Sequence, residues 1–359
     1  MVMELVYGGL TLLICLATVL PEMRDTSWVI RMFDIPRLQI AALALMLFAV
    51  GLFAFADRPY VALIALAGAL IVQASKILPF TALGRTEVTL APDAPDRIKV
   101  LIANVLQGND QYERLAELIR KEDPDILFLM ETDAAWVQAM EPVLRDYPVR
   151  VDLPLDNYYG LAFASRLETR DARVVYLSDD DTPALLARMV SPCGRDFCFV
   201  GLHPRPPVPG TDTDERDQQI LYSARFAREK DVPVITAGDF NAAAWGRASQ
   251  RFKYIGEYLD PRRGRGMFPS FDARSRLLRC PIDQLYVTQE IAVADFRRGA
   301  DIGSDHFPFI AVLSLDPATA KRANRPIKPL AEPLRMELDQ KIDDYAKRLE
   351  QARKHADSR

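Results

Sequence analysis

Three long apolar segments dominate the first eighty residues of this 359-residue chain. They run from Leu5 to Leu20, from Leu38 to Ala56 and from Tyr60 to Ser75, and only Gln39 interrupts the middle one. A helix needs on the order of 20 apolar residues to cross a bilayer core, and about 17 is near the lower limit. Three successive helices that are apolar on every side are rare in a soluble domain. The segments therefore predict three transmembrane helices, with buried core helices as the alternative.

Two features bear on the side of the membrane where the rest of the chain lies. Arg24, Arg31 and Arg37 between the first two segments favour a cytoplasmic loop, which would leave the remaining chain in the cytoplasm. Cys193 and Cys198 flank a short turn between strand-like runs, and a disulfide between them would require an oxidising compartment. Two reduced structural thiols are the alternative. We expect a multi-pass plasma-membrane protein whose soluble part is extracytoplasmic.

Beyond residue 96 the sequence alternates between strand-like and helix-like segments. Strand-like runs include "IKVLIANVL" from Ile98, "ILFLM" from Ile126 and "YYGLAFASR" from Tyr158, while residues 112–122 and 216–229 have helical periodicity. Many strands with few helices between them are typical of an α/β sandwich with two sheets. We divide the chain into a membrane domain (1–80), a linker (81–96), an α/β domain (97–315) and a Pro- and Lys-rich linker with a charged helix (316–359).

The stretch "PVITAGDFNAAAW", residues 233–245, carries the clearest polar motif of the α/β domain. Apolar and β-branched residues before Gly238 predict a buried strand that presents Asp239 and Asn241 at its end. Two residues apart on an extended backbone, these side chains would project from the same face. Such a pair suits one group that orients water and another that holds a phosphoryl oxygen. A local Asx turn is the alternative, because Asp and Asn favour turns.

Other predicted strands also end or begin with polar side chains. Oxygen ligands of this kind suit Mg²⁺ or Mn²⁺, which prefer carboxylate, carboxamide and water. The chain has three histidines, of which His355 lies in the tail and the other two lie beside an acid or a Pro-rich turn. Structural roles for the histidines, and a strand-edge role for Asp283, are the alternatives. The set is Asn104, Glu131, His203, Asp239, Asn241, Asp283, Asp305 and His306.

The motifs along residues 97–315 resemble the endonuclease/exonuclease/phosphatase superfamily, which includes deoxyribonuclease I-like nucleases, abasic-site endonucleases, inositol polyphosphate phosphatases and sphingomyelinases. In order they are "ANVL", "LMETD", "LHPRPP", "GDFN", "IDQLYV" and "SDHFP". With three predicted membrane helices, the chain is most similar to membrane-attached bacterial members. The resemblance implies a four-layer α/β/β/α sandwich of two mixed sheets and a hydrolase of phosphoesters that uses Mg²⁺ or Mn²⁺.

The resemblance also implies roles on the metal side of the site and for the nucleophile. Glu131 would be the principal metal ligand, Asn104 would help to position the metal, and Asp305 would support that side of the site. Asp239 would orient and deprotonate the attacking water, while Asn241 would hold a phosphate oxygen.

The remaining roles concern the two histidines. By the resemblance, His306 would contact the scissile phosphate with its ring oriented by Asp283, and His203 would protonate the leaving oxygen. One departure is Leu106, which stands where some relatives have an acid and weakens the case for a second metal. Phosphodiester hydrolysis needs a nucleophile, neutralisation of the phosphate oxygens and protonation of the leaving alkoxide, and this set can supply all three.

Arginine-rich segments predict an anionic substrate. Six arginines lie between residues 262 and 279, opposed only by Asp272, in a loop that the resemblance places beside the active-site mouth. Guanidinium groups bind phosphate bidentately, so Arg205, Arg263 and Arg265 are our predicted substrate-binding residues, with a solvated basic loop as the alternative. The net charge of −4 gives no general support for nucleic-acid binding. Nucleic acid, phospholipid head groups and small phosphoesters all stay open as substrates.

The C-terminal helix has a narrow apolar stripe between charged faces. The stripe could dock on its own domain or pair with a second copy in a short coiled coil, which would make self-association a partner interaction besides the bilayer and the substrate. A catalytically silent membrane scaffold that binds a partner through this helix is the alternative function. The stripe consists of Leu338, Ile342, Tyr345 and Leu349.

Overall fold

The computed structural model describes residues 2–23, 26–55, 57–177, 182–210, 212–228, 232–327 and 331–356. The chain divides into two compact units. Residues 86–96, predicted as part of a linker, belong to the second of them. The N-terminal unit comprises Met1–Arg85, Pro207–Asp214 and Arg263–Met267, and the sandwich unit comprises Thr86–Pro206, Glu215–Arg262 and Phe268–Arg359.

Apolar helices make up most of the N-terminal unit. Two helical stretches of 21 residues, Val2–Glu22 and Tyr60–Phe80, are long and apolar enough to cross a membrane. A third, Trp28–Asp34 followed by Arg37–Phe53, bends by 75° and adds a span only if the pair acts as one. Two or three of the predicted membrane helices therefore qualify as spans. The helices are α1 (Val2–Val19), α2 (Trp28–Arg31), α3 (Arg37–Phe53) and α4 (Tyr60–Ile77), with 3-10 turns at Leu20–Glu22, Met32–Asp34 and Leu78–Phe80.

These helices are apolar both inside and outside. Tyr7, Ala44 and Leu66 are buried where α1, α3 and α4 meet. On the outer surface of α4, Val61 and Ile64 are 85% and 73% exposed. Water solvates such side chains poorly, whereas the hydrocarbon chains of a lipid bilayer accept them. The distribution of apolar side chains thus suggests that the N-terminal unit associates with a membrane.

A buried polar cluster links the three long helices of this unit. Arg37 at the start of α3 is 1% exposed, and its Nη2 lies 2.8 Å from Asp34 Oδ1 and 2.9 Å from Glu22 Oε1. On α4, Gln73 accepts a hydrogen bond from Arg37 Nη1 at 3.5 Å and donates one to Thr18 Oγ1 of α1 at 3.1 Å. A guanidinium group carries five donors in a fixed plane, so it can serve several partners at once. Arg37 therefore joins groups from all three helices.

Burial changes what the arginines of the first loop indicate about orientation. Arg31 is 5% exposed and donates to the carbonyl oxygen of Pro21 at 2.8 Å, and Arg37 is equally enclosed. Both side chains are part of the helix packing and are not solvated charges of a loop. Arg24 lies outside the described residues. The argument from loop arginines for a cytoplasmic first loop is correspondingly weakened.

Replacing Arg37 by alanine should destabilise the N-terminal unit. Asp34 and Glu22 would lose a shared partner inside the protein, and breaking a buried ion pair costs about 3 kcal/mol or more. Thermal unfolding of the full chain in detergent, followed by circular dichroism, should show a lower midpoint than the wild type. Arg58→Ala, at an exposed position, is the control and should leave the midpoint unchanged. Equal midpoints for the two variants would contradict the assigned role of Arg37.

Two six-stranded sheets build the sandwich unit. In chain order the strands are β1 (Arg97–Asn104), β2 (Ile126–Met130), β3 (Val149–Leu153), β4 (Leu161–Ser165), β5 (Thr169–Tyr176), β6 (Pro183–Val190), β7 (Asp196–Leu202), β8 (Val234–Asp239), β9 (Tyr258–Leu259), β10 (Asp283–Thr288), β11 (Ala292–Arg298) and β12 (Phe309–Ser314). The first sheet has the order β11-β12-β1-β2-β4-β3 and the second β5-β6-β7-β8-β10-β9. The β1/β2 and β7/β8 pairs are parallel and the other pairs are antiparallel, so both sheets are mixed.

Apolar side chains from both sheets form the central core. Phe199 of β7 packs against Phe128 of β2 and Phe163 of β4, with ring centroids 5.9 and 5.8 Å apart. Gly201 of β7 faces the same Phe128 ring, and a Cβ atom there would lie 2.5 Å from it. Only glycine therefore allows the two sheets to approach so closely at this point.

Helices cover the outer face of each sheet. On the first sheet, Leu115 and Trp136 from two helices pack against Leu101 of β1. On the second, Phe252 packs with Tyr286 of β10. The layers follow the order helix, sheet, sheet, helix, which confirms the α/β/β/α sandwich that the resemblance implies. The helices of this region are α5 (Tyr112–Glu122), α6 (Ala134–Leu144), α7 (Asp214–Arg228), α8 (Arg247–Ile255), α9 (Pro317–Ala323) and α10 (Glu332–Ala356).

The segments predicted as flanking the domain pack on it instead. Val88 is fully buried and pairs with Asn324 in an isolated bridge, and Glu87 forms an ion pair with Lys253 of α8. At the other end, residues 317–323 form α9, which the sequence did not indicate. The sandwich unit thus extends beyond the predicted limits of 97 and 315.

The apolar stripe of α10 docks on its own unit. Leu338 and Ile342 pack against Leu221 of α7, and the Tyr345 hydroxyl donates to the carbonyl oxygen of Leu177 at 2.8 Å. All four predicted stripe residues, including Leu349, are 4% exposed or less. The stripe is therefore occupied within the chain, as in the docking alternative, and is not free to form a coiled coil.

The predicted disulfide between Cys193 and Cys198 is not formed, although the structure describes both residues. Cys193 is an exposed free thiol in the turn between β6 and β7. Cys198 lies within β7, is 2% exposed and pairs with Arg188 across the ladder. The residues that face each other next to the turn are Val190 and Asp196, so Cys198 is two pairs further along. The disulfide was our argument for an extracytoplasmic domain, and that argument falls with it.

Candidate active site

Strands from both sheets bring polar residues into one cluster. β1 and β2 are parallel neighbours, so Asn104 at the end of β1 lies beside Glu131, which follows β2. In the second sheet Asp239 ends β8 and faces Asp283, the first residue of β10, directly across the antiparallel ladder. Asn104 Nδ2 donates to Asp239 Oδ2 at 3.2 Å, a hydrogen bond between the two sheets. Four of the predicted site residues are therefore neighbours in space.

The backbone of Glu131 is constrained, and its two hydrogen bonds offset only part of the burial of its carboxylate. Its backbone is left-handed, with φ of 63°, a conformation that is uncommon outside glycine and costs about 1–3 kcal/mol. Its Oε1 accepts from Asn104 Nδ2 at 2.8 Å and its Oε2 from the backbone N–H of Gln107 at 3.3 Å. Burial, helped by the charge of Asp239, raises the pKa of Glu131 to about 7. A buried carboxylate beside a second acid is suited to bind a cation.

His306 and Asp283 form a buried dyad. His306 Nδ1 lies 2.7 Å from Asp283 Oδ2, and its Nε2 lies 3.6 Å from Asp239 Oδ2. Burial alone would lower the pKa of His306, but the carboxylates of Asp283 and Asp239 outweigh it and raise the pKa to about 10. The predicted orienting role of Asp283 agrees with this geometry. A charged imidazolium held in place by an acid can stabilise negative charge on a phosphoryl group.

His203 lies beside Glu131 and Asp239, and its surroundings differ from those of His306. Its Nε2 is 3.9 Å from both Glu131 Oε1 and Asp239 Oδ2, and its Nδ1 has no hydrogen-bond partner among the described residues. Burial lowers the pKa of His203. The ring of Tyr159 lies 5.4 Å away, and the guanidinium of Arg205 lies 5.8 Å from that tyrosine ring. The two histidines thus have opposite charge preferences, which is typical of paired acid–base groups.

Asn241 does not lie on an extended backbone beside Asp239. Its φ is 48°, and its backbone N–H donates to Asp239 Oδ1 at 2.8 Å, which is the Asx turn that the sequence also allowed. Its side-chain Nδ2 donates to the carbonyl oxygen of Pro204 at 2.9 Å. The carbonyl oxygen of Asn241 accepts a hydrogen bond from Arg216 Nη1 at 3.1 Å. The expected common face is therefore wrong in geometry. The turn nevertheless fixes the carboxylate of Asp239, and the second hydrogen of Nδ2 can still donate to a substrate.

Two groups of residues could hold a divalent metal. Ligand atoms of Asp239, Asp283 and His306 all lie within 4.8 Å of one another, but His306 and Asp283 already share a hydrogen bond. Glu131 and Asp239, which both accept from Asn104 Nδ2, offer carboxylate oxygens instead. A donor set made of hard oxygens suits Mg²⁺ or Mn²⁺ better than a set that includes an imidazole. The second group therefore fits the predicted cofactor.

Asp305 lies beside His306 and the arginine-rich loop. Its Oδ1 is 3.9 Å from His306 Nε2, and its Oδ2 is 3.5 Å from Arg274 Nη2. Arg274 also pairs with Asp272 at 3.0 Å. The second half of the predicted arginine loop therefore borders the site, although Arg274 was not among the predicted substrate-binding residues.

The first half of the arginine loop is arranged differently. Arg262 is fully buried and pairs with Asp260 at 2.7 Å, so it is not part of a solvated loop. Its Nη1 donates to the carbonyl oxygen of Asp283 at 3.3 Å and so supports the dyad from behind. Arg263 and Arg265 belong to the N-terminal unit, where the guanidinium of Arg263 lies 5.4 Å from the ring of Phe80.

Sequence reasoning missed residues that hold the site through their backbone or through small side chains. The Ser304 hydroxyl donates to the carbonyl oxygen of Asn104 at 2.8 Å and accepts from the N–H of His306 at 3.0 Å. Phe271 packs its ring 5.0 Å from the His306 ring. Ser304 belongs to the "SDHFP" motif, so its place was visible, but serine is too common in turns to indicate this contact.

A two-sheet α/β sandwich with acids and histidines at its strand ends is the architecture of a class of phosphoester hydrolases. A family model described as "Endonuclease/Exonuclease/phosphatase family" matches residues 101–306, which is more than half of the chain. The chain belongs to this family, as its motifs predicted. No curated protein matches the sequence.

Solved structures show the same fold at low sequence identity. An endonuclease/exonuclease/phosphatase from Bacteroides vulgatus matches with 20% identity and a TM-score of 0.51, covering 61% of this chain and 99% of its own. The TDP2 of D. rerio, complexed with a single-strand DNA product, matches with 15% identity and a TM-score of 0.50, with the same coverage of 61% and 99%. These comparisons support the fold and leave the substrate to be argued from this chain.

Replacing Asp283 by asparagine should lower the pKa of His306. The carboxylate of Asp283 is the largest favourable influence on the imidazolium, so without it the pKa should fall from about 10 toward the ordinary value of 6.5. Histidine-selective NMR titration in EDTA can follow the change, because the chain has three histidines. Asp305→Asn is the control, since its carboxylate is 3.9 Å away, and it should cause a smaller change. An unchanged pKa in Asp283→Asn would refute the dyad.

Proposed function

We propose that this protein is a membrane-anchored, metal-dependent hydrolase of phosphodiesters. The observation that carries the proposal is the buried cluster in which the His306–Asp283 dyad meets Asp239, itself linked through Asn104 to Glu131. Nucleophile activation, charge neutralisation and leaving-group protonation each have a group within this cluster. Membership of a family of phosphoester hydrolases supports the reaction class.

Asp239 activates the attacking water in this mechanism. Burial and the neighbouring charge of Asp283 raise the pKa of Asp239, which makes it a better proton acceptor than an exposed carboxylate. The backbone N–H of Asn241 holds its other oxygen, so the basic oxygen has a fixed direction. The free Nδ2 hydrogen of Asn241 then holds a phosphate oxygen.

The two histidines divide the remaining work. His306 is charged, is oriented by Asp283 and faces the phosphoryl oxygens as negative charge develops there. His203 supplies a proton to the leaving oxygen after taking one up when the anionic substrate raises its pKa. We propose that Arg205, near Tyr159 and two residues after His203, binds the anionic group; its guanidinium lies 5.8 Å from the Tyr159 ring, beside His203.

Glu131 and Asn104 would hold Mg²⁺ or Mn²⁺, with Asp239 sharing the ion and Asp305 supporting the site from the His306 side. The bound ion would neutralise a phosphate oxygen and favour the in-line attack. Without it, burial raises the pKa of both Glu131 and Asp239, and the charge of Asp239 raises that of Glu131 further. Relief of that repulsion is the physical reason to expect metal binding here.

The apolar helices of residues 2–80 would anchor the enzyme in the plasma membrane. Their exposed apolar side chains, length and composition support two or three spans. Cys193 and Cys198 are not joined by a disulfide, which removes the argument for an extracytoplasmic catalytic domain. We propose a membrane domain that corresponds to the N-terminal unit, including the short segments Pro207–Asp214 and Arg263–Met267, and a catalytic domain that corresponds to the sandwich unit.

The scaffold alternative has less support than the enzyme. It required the apolar stripe of α10 to be available to a partner, and that stripe packs against α7 and Leu177. A scaffold would also have no use for two buried acids that repel each other. Charge alone supports Arg263 and Arg265 as candidate substrate ligands.

Purified full-length protein should hydrolyse bis(p-nitrophenyl) phosphate with Mg²⁺ or Mn²⁺ and lose that activity in EDTA. Asp239→Ala and His306→Ala should each lower kcat by at least about a hundredfold, the effect of losing an acid–base or charge-stabilising group. Asp171→Ala, at an exposed position of β5, is the matched control and should keep the wild-type rate. Wild-type turnover in both site variants would rule out this mechanism.

Glu131→Gln should act mainly through metal affinity. The amide keeps the size and one acceptor oxygen but removes the charge that attracts the ion. Activity measured across Mg²⁺ concentrations should reach its half-maximum at a higher concentration than in the wild type, with partial recovery at saturation. A lower maximal rate with an unchanged half-maximal concentration would assign Glu131 to the chemical step instead.

A further inference from the structure

Two adjacent leucines are exposed at the tip of the loop formed by residues 272–279, here called the Leu-Leu loop. Leu277 is 83% exposed and Leu278 is 65% exposed. A soluble surface tolerates single exposed apolar side chains, but a pair at the tip of one loop is a compact apolar feature. The pair therefore needs an explanation from its surroundings.

The loop is held in one conformation by its own hydrogen bonds. The Asp272 N–H donates to the carbonyl oxygen of Leu278 at 3.1 Å, and the Ser275 N–H donates to that of Asp272 at 3.1 Å. Ser275 Oγ accepts from the N–H groups of Leu277 and Leu278 at 3.2 and 2.9 Å. Arg279 Nη2 donates to a carbonyl oxygen at the start of the loop. The leucines are therefore presented by an ordered turn.

Cationic side chains surround the base of this loop. The guanidinium groups of Arg279 and Arg298 lie 4.9 and 4.6 Å from the ring of Phe307. Neither has a carboxylate within ion-pair distance among the residues that the structure describes; their hydrogen bonds go to backbone carbonyl oxygens. Arg276 and Arg274 are exposed on the loop itself. Leucines at the tip of the loop and arginines on the loop and near its base match the change from lipid chains to anionic head groups.

The same loop forms one wall of the candidate active site. The Ala273 N–H donates to the carbonyl oxygen of Asp305 at 2.7 Å, and Phe271 pairs with His306 in an isolated bridge. Arg274 reaches Asp305 at 3.5 Å. A surface that the leucines enter would therefore be close to the dyad that acts on the phosphate.

Resting on the function proposed above, we infer that the Leu-Leu loop inserts into a bilayer surface and that the substrate is a phosphoester of a membrane lipid. Leu277 and Leu278 would enter the acyl region, and Arg276, Arg279 and Arg298 would contact the phosphates. The alternative occupant, single-stranded nucleic acid, is usually held by aromatic faces on which bases stack, and leucine offers none. The chain also carries helices that are long and apolar enough to cross a bilayer.

The depth of the loop can be measured without any assay of activity. Full-length protein, with Cys15 and Cys193 replaced by alanine, carries a nitroxide at Leu277→Cys and is reconstituted in vesicles of phosphatidylglycerol and phosphatidylethanolamine. Collision with oxygen should exceed collision with an aqueous nickel chelate at this site. The same label at Leu334→Cys, an exposed leucine of α10, is the control and should report water. A label at residue 277 that reports water, or that is immobilised only by an added oligonucleotide, would overturn the inference.

A second measurement compares two substrates. Leu277→Ser/Leu278→Ser should lower hydrolysis of phosphatidylglycerol in vesicles about tenfold more than hydrolysis of bis(p-nitrophenyl) phosphate, since only the former needs the bilayer contact. Leu334→Ser should leave that ratio unchanged. An equal loss on both substrates would refute the docking role. If the wild type hydrolyses neither substrate while the nitroxide reports lipid, the proposed function fails and the docking surface stands.

Discussion

Repulsion among buried carboxylates constrains the whole sandwich unit. Glu131, Asp239 and Asp283 lie within one cluster, where burial and a neighbouring carboxylate raise the pKa values of Glu131 and Asp239 despite the charge of His306. Groups that repel one another stay together only when a rigid framework holds them, and the energy must come from packing elsewhere. The close contact of the two sheets at Gly201 supplies part of that rigidity. The stability of the site therefore depends on the packing of the core.

Much of the fold could be predicted because strands that are buried on both faces form unbroken apolar runs. The strands that end near Asn104, Glu131 and Asp239 were visible from composition, and so were the polar residues that follow them. The conformation of Asn241 could not be predicted, because the same sequence allows an Asx turn and an extended strand end. The turn is decided by the carboxylate of Asp239 and by a carbonyl group, at Pro204, that is distant in sequence.

Charged residues were the least predictable part of the chain. Arg262 and Arg37 look like solvated cations in sequence, yet both are buried and held by acids. Whether a guanidinium is solvated or enclosed depends on groups brought near by the fold, and no local pattern contains that information. The predicted disulfide between Cys193 and Cys198 was wrong for the same reason. Its spacing allowed a bridge, but the ladder register placed Cys198 opposite Arg188, away from the turn.

That dependence on register has a consequence for natural variants of this protein. Asp239 and Asp283 face each other because β8 and β10 pair in one alignment over five residue pairs. A shift by a single residue would turn Asp283 toward the opposite face of the sheet, together with every other side chain of its strand. Harmful substitutions should therefore appear along the whole of β10, at Tyr286 or Val287 as well as at the acid itself. A variant with a substitution at Tyr286 or Val287 would then lose activity because Asp283 is displaced, although the carboxylate itself is retained.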